Sequence, residues 1–373
     1  MTIRPDLQEA LDRRYMAATI RLSSKNAGRT STNPSVGTLV VRDDGHGPVI
    51  VGRGVTAIGG RPHAEAEALA EAGDLARGAT AYVTLEPCAH HGRTPPCANA
   101  LVNAGIVRVV GAATDPDSRV SGKGYALLRQ AGIEVVEGVL ASEAADLMAG
   151  YLTRSLKKRP EVTLKLALSQ DGKIGQQGRG QIAITGEVSR RQVYMMRAAS
   201  DAILIGIGTA IEDDPELTVR LPGLASRSPA RIVLDRTARL PLTSKLVRTD
   251  RDVPLMVATC AEADPARRAA LESAGVQMLA TETFDGRVAL PEMLEDLASK
   301  GMSTVMVEGG AATARYFLEE GLADRIVIFR GAVIIGEHGL AAPIDEGHMP
   351  AGFNLVREAV YGDDRVTEWV RPL

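Results

Sequence analysis

Three cysteines in 373 residues are too few for a disulfide framework. A reducing compartment is expected, and there Cys88 and Cys97 are ligands or nucleophiles before they are a bridge. The first residues, MTIRPDLQEALDRR, lack an apolar core, so no signal peptide is read. No apolar run approaches the ~18 residues that a membrane span needs. A cytoplasmic protein is expected. Aromatic residues make up only 3% of the chain, which leaves the core to Ala, Val, Leu and Ile. Neither charge sign dominates: 43 basic residues face 46 acidic ones, net −3. That balance provides no domain-scale basic field to hold a nucleic-acid backbone. A small phosphorylated substrate stays open, because a phosphate needs only a few local donors. Internal repeats, low-complexity tracts and a G-x-G-x-x-G are also absent, and the lone GIG at Gly206–Gly208 is weak evidence for a dinucleotide.

The length favours two domains or three. Strand-like and helix-like segments alternate throughout, which predicts α/β layers. VGTLVVR and VIVGRGV read as paired strands, HAEAEALAEAGDLA as a helix, ATAYVTLE as a strand and CANALVNAG as a helix. ASEAADLMAGYLTRSLKK reads as one longer helix. Pro160, after the basic run LKKR, argues against continuing it and sets a domain boundary there. The second half restarts with EVTLKLALS and predicts a mixed, mainly parallel sheet. Its strands include DAILIGIG, ARIVLD, PLMVAT, STVMVEGG and RIVIFRG. Cys260, at the end of PLMVATC, reads as an ordinary strand-end residue.

Cys88 and Cys97 lie in TLEPCAHHGRTPPC, downstream of RPHAEAEALAEAG. Singly, His63 is an ordinary helix-start histidine and Cys88 a small buried hydrophobe. Together, His63, Cys88 and Cys97 offer three N/S donors with a fourth position open, the pattern of a catalytic zinc. Glu65, two residues from His63, is placed to move protons without binding the metal. Zinc deaminases use this H-x-E and P-C…C arrangement. His90 and His91 read either as surface loop or as pocket lining.

Eight residues separate Cys88 from Cys97, where the general signature has two. That loop, with GRTSTNPSVGTLVV and PHAEAEAL, resembles the bifunctional riboflavin-biosynthesis deaminase/reductase family. The second half resembles it too, through ITGEVSRRQVYMMRAASDAILIGIGTAIEDDPELTVR and VEGGAATARYF. The resemblance implies a cytidine-deaminase-like α/β/α domain (1–150), a linker (151–159) and a dihydrofolate-reductase-like α/β domain (160–373). It implies zinc on His63, Cys88 and Cys97, Glu65 as proton shuttle, and Asn33 facing the pyrimidine. For the reductase it implies NADPH on Ala167, Thr209, Asp213 and the run Gly310, Ala311, Ala312, Thr313, Ala314, Arg315 and Tyr316. Substrate contacts fall on Arg197, Leu217, Arg220 and Glu308, with the two arginines suited to a phosphate. The reactions implied are deamination of 2,5-diamino-6-(5-phosphoribosylamino)pyrimidin-4(3H)-one, then reduction of its ribosyl chain to ribityl. A homo-oligomer, dimer or tetramer, is expected, with neither nucleic acid nor membrane as partner. Lys123 and Arg93 are candidates for the phosphate in the deaminase half.

Several positions depart from the family pattern. Ala183 stands where a Trp is common, Gln181 where a Ser is, Arg236 where a small residue is, and Asp117 where an Asn is. Three rivals remain. A nucleic-acid base deaminase fused to an unrelated domain would bind structured RNA or single-stranded DNA tightly. A decayed deaminase half would bind zinc without releasing ammonia. A structural zinc staple would close all four metal positions with protein.

Overall fold

The computed structural model describes residues 5–90, 95–117 and 120–373. His91 and Arg93 lie outside the described residues. The chain divides into two compact units, Met1–Lys157 and Lys158–Leu373. No helix among the described residues is long and apolar enough to cross a membrane.

The first unit is built on five strands: β1 (Gly37–Arg42), β2 (Val49–Val55), β3 (Thr80–Leu85), β4 (Arg108–Ala113) and β5 (Glu134–Val136), in the order β2-β1-β3-β4-β5. The β1 and β2 ladder is antiparallel, as are β1 and β3, while β3, β4 and β5 run parallel. Its helices are α1 (Pro5–Ser23), α2 (Ala64–Ala72), α3 (Cys97–Asn103), α4 (Lys123–Gln130), α5 (Ala141–Leu147) and α6 (Ala149–Lys157). Two close approaches fix the layers. A Cβ on Gly37 would meet the Thr19 carbonyl of α1 at 2.5 Å, and one on Gly54 the Ala64 carbonyl of α2 at 1.9 Å. Gly54 pairs with Thr38, the neighbour of Gly37, so α1 and α2 cover opposite faces of the sheet. This is an α/β/α sandwich. The predicted long helix over 141–157 is two helices, broken at Met148, where φ is −106° and ψ 15°. The linker segment belongs to the last turns of α6 and to the start of the second unit.

The second unit holds a nine-stranded sheet. In chain order its strands are β6 (Glu161–Leu168), β7 (Ala202–Gly206), β8 (Ala230–Leu234), β9 (Leu255–Thr259), β10 (Gln277–Ala280), β11 (Thr304–Glu308), β12 (Arg325–Arg330), β13 (Asn354–Tyr361) and β14 (Asp364–Val370). Across the sheet the order is β10-β9-β8-β7-β11-β6-β12-β14-β13. Neighbouring strands run parallel except at β12–β14 and β14–β13, which are antiparallel, and the hairpin β13–β14 is not among the strands expected from the sequence. Helices α7 (Glu187–Ala199), α8 (Ile207–Asp213), α9 (Pro265–Ser273), α10 (Leu290–Ser299) and α11 (Ala311–Glu319) connect or cover the strands. In β7, Leu204 joins one apolar cluster, with Phe317, while Ile203 and Ile205 join another, with Val233 and Val257. Both faces are therefore covered, which is why these strands read as unbroken apolar runs rather than alternations.

Candidate active sites

In the first unit, three separate elements deliver the metal-type donors. His63 is the residue before α2, Cys97 opens α3, and Cys88 lies in the loop after β3. His63 Nδ1 stands 3.4 Å from Cys97 Sγ and 3.8 Å from Cys88 Sγ. The Cys97 amide donates to Cys88 Sγ at 3.3 Å, and all three ligand atoms lie within 4.8 Å of one another. A tetrahedral zinc with bonds of ~2.3 Å to sulfur and ~2.0 Å to nitrogen has donor–donor edges of roughly 3.5–3.8 Å. The donor set fits that ion. The hydrogen bond from the Cys97 side chain, then the bond to His63, pull the Cys88 thiol down to about 4, against burial. Sharing with Cys88 and burial push the Cys97 thiol up, and the bond to Cys88 raises His63. The cluster holds protons that a bound dication would displace.

Glu65 lies in the first turn of α2, 4% exposed. Burial, then the Cys88 thiolate, pushes its carboxyl up to about 7. Around this group opens a cleft of about 670 Å³. His90 and Asn33 line it, and the Asn33 amide is held by donation to the Gly60 carbonyl at 2.8 Å. Lys123 begins α4 and is not among the lining residues. Sequence reasoning missed Arg61, Asp115, Tyr151 and Arg154, which also line the cleft, as does Asp117. Tyr151 donates to Asp115 at 3.0 Å, and burial raises that carboxyl. Only proximity in the fold brings them there; no local pattern marks them. Glu86 accepts from the Gly122 and Gly124 amides at 3.0 and 2.9 Å, tying the start of α4 to the loop that carries Cys88.

In the second unit, Ala167, Arg197, Arg220 and Glu308 come together around a hollow of about 440 Å³, with Gln181 and Ala183 on its wall. Arg197 grips Glu308 in a buried fork, Nε to Oε1 at 2.7 Å and Nη2 to Oε2 at 2.8 Å. Burial alone would raise the Glu308 carboxyl, but Arg197 outweighs it and holds it low. Lys165 lines the same hollow and was missed. Burial depresses its ammonium, opposed by Glu308. A lone lysine inside the apolar strand EVTLKLAL was the available signal.

Beside this hollow, the starts of α8 and α11 meet at the carboxyl ends of β7 and β11. Gly309 and Gly310 both have φ of 72°, and a Cβ on Gly310 would fall 2.8 Å from Thr209 Oγ1. A Cβ on Gly206 would fall 2.3 Å from Thr313 Oγ1. Thr209, Gly310 and Thr313 are thus packed together where the two helices start, with Ala311 and Ala312 in the first turn of α11. The other expected residues lie away from them. Ala314 packs in the core, and Tyr316 donates to the Val288 carbonyl at 2.8 Å. Arg315 faces solvent, Asp213 ends α8 half-buried, and Leu217 is buried under β7 with φ of 55°. Cys260 is buried, its thiol donating to the Glu282 carbonyl at 3.4 Å.

Two family models match: the cytidine and deoxycytidylate deaminase zinc-binding region over residues 10–113, and the RibD C-terminal domain over 160–366. The riboflavin biosynthesis protein RibD of Aquifex aeolicus is 42% identical over 327 residues, 88% of each chain. That of Escherichia coli is 37% identical over 336 residues, 87% of this chain and 89% of the other. Among solved structures, Acinetobacter baumannii RibD superposes with a TM-score of 0.84 at 36% identity, covering 98% of this chain and 100% of that one. A Thermotoga maritima diaminohydroxyphosphoribosylaminopyrimidine deaminase/5-amino-6-(5-phosphoribosylamino)uracil reductase gives 0.83 at 34% identity, with the same coverage. Motif, geometry and likeness agree along nearly the whole length: the chain belongs to the RibD family, bifunctional deaminase/reductases of riboflavin biosynthesis.

Proposed function

We propose that the first unit hydrolyses the 2-amino group of 2,5-diamino-6-(5-phosphoribosylamino)pyrimidin-4(3H)-one to ammonia, and that the second reduces the ribosyl chain of the product to ribityl with NADPH. The observation that carries the first half is the convergence of His63, Cys88 and Cys97 at zinc-sized separations, with Glu65 beside them. Zinc there supplies the acidity that brings the pKa of water from ~15.7 to roughly 7. Glu65 takes the proton that water gives up and passes it to the departing amine; a carboxyl raised by burial suits both tasks near neutral pH. Asn33 orients the pyrimidine.

In the second unit, NADPH when bound would supply the hydride for C1′ of the sugar. The chain's work there is alignment. Gly310, Ala311, Ala312 and Thr313, with Thr209, would hold the cofactor's phosphates, and Ala167 and Asp213 are further cofactor contacts in this reading. Arg197 holds Glu308 ionised and in place, and Glu308, Lys165 and Arg220 bind and orient the substrate. The net charge of −3 supports a small-molecule partner over nucleic acid. A cytoplasmic homo-oligomer is part of the same reading, and the exposed Val356 and Val360 of β13 offer one candidate surface.

Glu65→Gln tests the deaminase assignment. Ammonia release is expected to vanish while metal analysis still finds one zinc per chain. Retained turnover would remove Glu65 from its role, and loss of zinc would make it a ligand instead. Supplying the diaminopyrimidine phosphate with and without NADPH, and following ammonia and cofactor absorbance together, tests both halves at once.

A further inference from the structure

Helix α7 begins without a cap of its own. Its N-cap residue is Gly186, which has no side chain to serve the unpaired amides of the first turn. An acceptor comes instead from near the end of the chain. Asp364, the first residue of β14 and 178 positions away, takes the Gly186 amide on Oδ2 at 2.8 Å. Asp364 is 4% exposed and has no ion-pair partner among the described residues. A buried carboxylate without a counter-charge is costly, and the positive end of α7 offsets part of that cost. The residues before α7, 181–185, form neither helix nor strand and make one wall of the Glu308 hollow. Among the described residues, their backbone makes no hydrogen bond to the rest of the chain. The wall is held at its two ends, where Gly180 donates to the exposed Glu212 at 3.1 Å and Gly186 to the buried Asp364. Gly331, just after β12, backs it: a Cβ there would meet the Ile184 carbonyl at 2.0 Å and Asp364 Oδ1 at 3.4 Å.

We propose that Asp364 is a positioning residue of the reductase: from the terminal hairpin it clamps Gly186, and so holds the 181–185 wall and the start of α7 in the shape that receives substrate. This rests on the reading that the second unit reduces a phosphoribosylaminopyrimidine at the Glu308 hollow. Asp364 touches neither substrate nor cofactor and acts only through the wall. Without the clamp, the wall spends part of its time displaced, and substrate binds only the held fraction. Apparent affinity falls by that fraction, while bound substrate restores the held wall and leaves turnover at saturation intact. A hydrogen bond to a charged group shifts such an equilibrium by roughly 10- to 100-fold, which bounds the effect.

Steady-state reduction of 5-amino-6-(5-phosphoribosylamino)uracil is measured for wild type, Asp364→Ala, Asp364→Asn and, as a control on the exposed neighbour, Asp363→Ala. Amide hydrogen exchange of the 181–187 segment is followed in the same proteins without ligand. Asp364→Ala is expected to raise KM roughly 10-fold or more with kcat near wild type, and to speed exchange at Gly186 by a similar factor. Asp364→Asn keeps an acceptor but loses the charge, which about halves the bond strength, so a KM rise of roughly 3-fold is expected. Asp363→Ala is expected to match wild type in both measurements, and ammonia release by the first unit to be unchanged throughout. An unchanged KM or an unchanged Gly186 exchange rate in Asp364→Ala overturns the proposal. So does a fall in kcat alone, which would mean less folded enzyme, or an Asn variant as impaired as the Ala variant. If Asp364→Ala does not fold, the Asn variant decides alone, and an unchanged KM in it overturns the proposal. Failure of the wild type to oxidise NADPH with this compound overturns the underlying reading, and the proposal with it.

Discussion

Gly54 offers a test of how the sheet sets the metal geometry. It lies in β2 directly beneath the first turn of α2, and a Cβ there would sit 1.9 Å from the Ala64 carbonyl oxygen and 2.7 Å from the Ala68 amide nitrogen. Both are backbone atoms, so no side chain can swing away. A carbon–oxygen contact settles near ~3.3 Å, so the start of α2 must retreat by about 1.4 Å in Gly54→Ala. Ala64 lies between His63 and Glu65, and both move with it. Metal sites tolerate roughly ±0.2 Å in ligand distance, and an ~1 Å misplacement of a catalytic group can lower rate about 100-fold. Overpacking of this kind costs about 1–3 kcal/mol, against a stability of roughly 5–15 kcal/mol for a domain, so the fold survives. Gly54→Ala is therefore expected to remain folded by circular dichroism, to lose most of its zinc by metal analysis, and to release ammonia at least about 100-fold more slowly. NADPH oxidation with the deaminated intermediate is expected to be unchanged, because Glu308 and its surroundings belong to the other unit. A Gly54→Ala protein with one zinc per chain and the wild-type deamination rate would refute the reasoning.

Two other changes probe the buried ion pairs. Glu308→Gln leaves the Arg197 guanidinium buried without its counter-charge; breaking such a pair costs roughly 3–5 kcal/mol, so a lower melting temperature and lost NADPH oxidation are expected with deamination retained. Equal loss of both activities would point to unfolding instead. Asp12→Asn tests acid stability. Burial raises the Asp12 carboxyl, but Arg108, at 2.7 Å, outweighs it and leaves the folded value below the usual carboxylate range. The contribution of the pair is thus present above the unfolded value of about 3.9 and is lost as pH falls through the lower folded value. Denaturant melts of the wild type are expected to lose stability below about pH 4, and Asp12→Asn is expected to flatten that limb. An unchanged limb would show that other carboxyls govern it.

The sheet strands and the cluster of His63, Cys88 and Cys97 were legible because each is a local pattern. An unbroken apolar run such as AILIG can only be buried on both faces. His63 with Glu65, and Cys88 with Cys97, are short motifs that chemistry reuses. Helix α1 left no such trace: it buries Asp12, Met16, Thr19 and Ser23, a helical spacing written mostly in polar letters. Asp12 is tolerable there because Arg108 and the Tyr82 hydroxyl reach it from β4 and β3. The hairpin β13–β14 escaped for the opposite reason. β13 is exposed along most of its length and mixes charged with apolar residues, so no periodicity marks it.

The sequence by itself determined the two α/β units and the identity of the three N/S donors, because those depend on residues close together in the chain. The tertiary structure decided what the charged groups of the reductase do. Arg197 could serve a phosphate or a carboxylate with equal chemical right. Glu308, 111 positions away, lies within hydrogen-bond reach and largely buried, and a buried ionised carboxylate is costly to leave without a counter-charge.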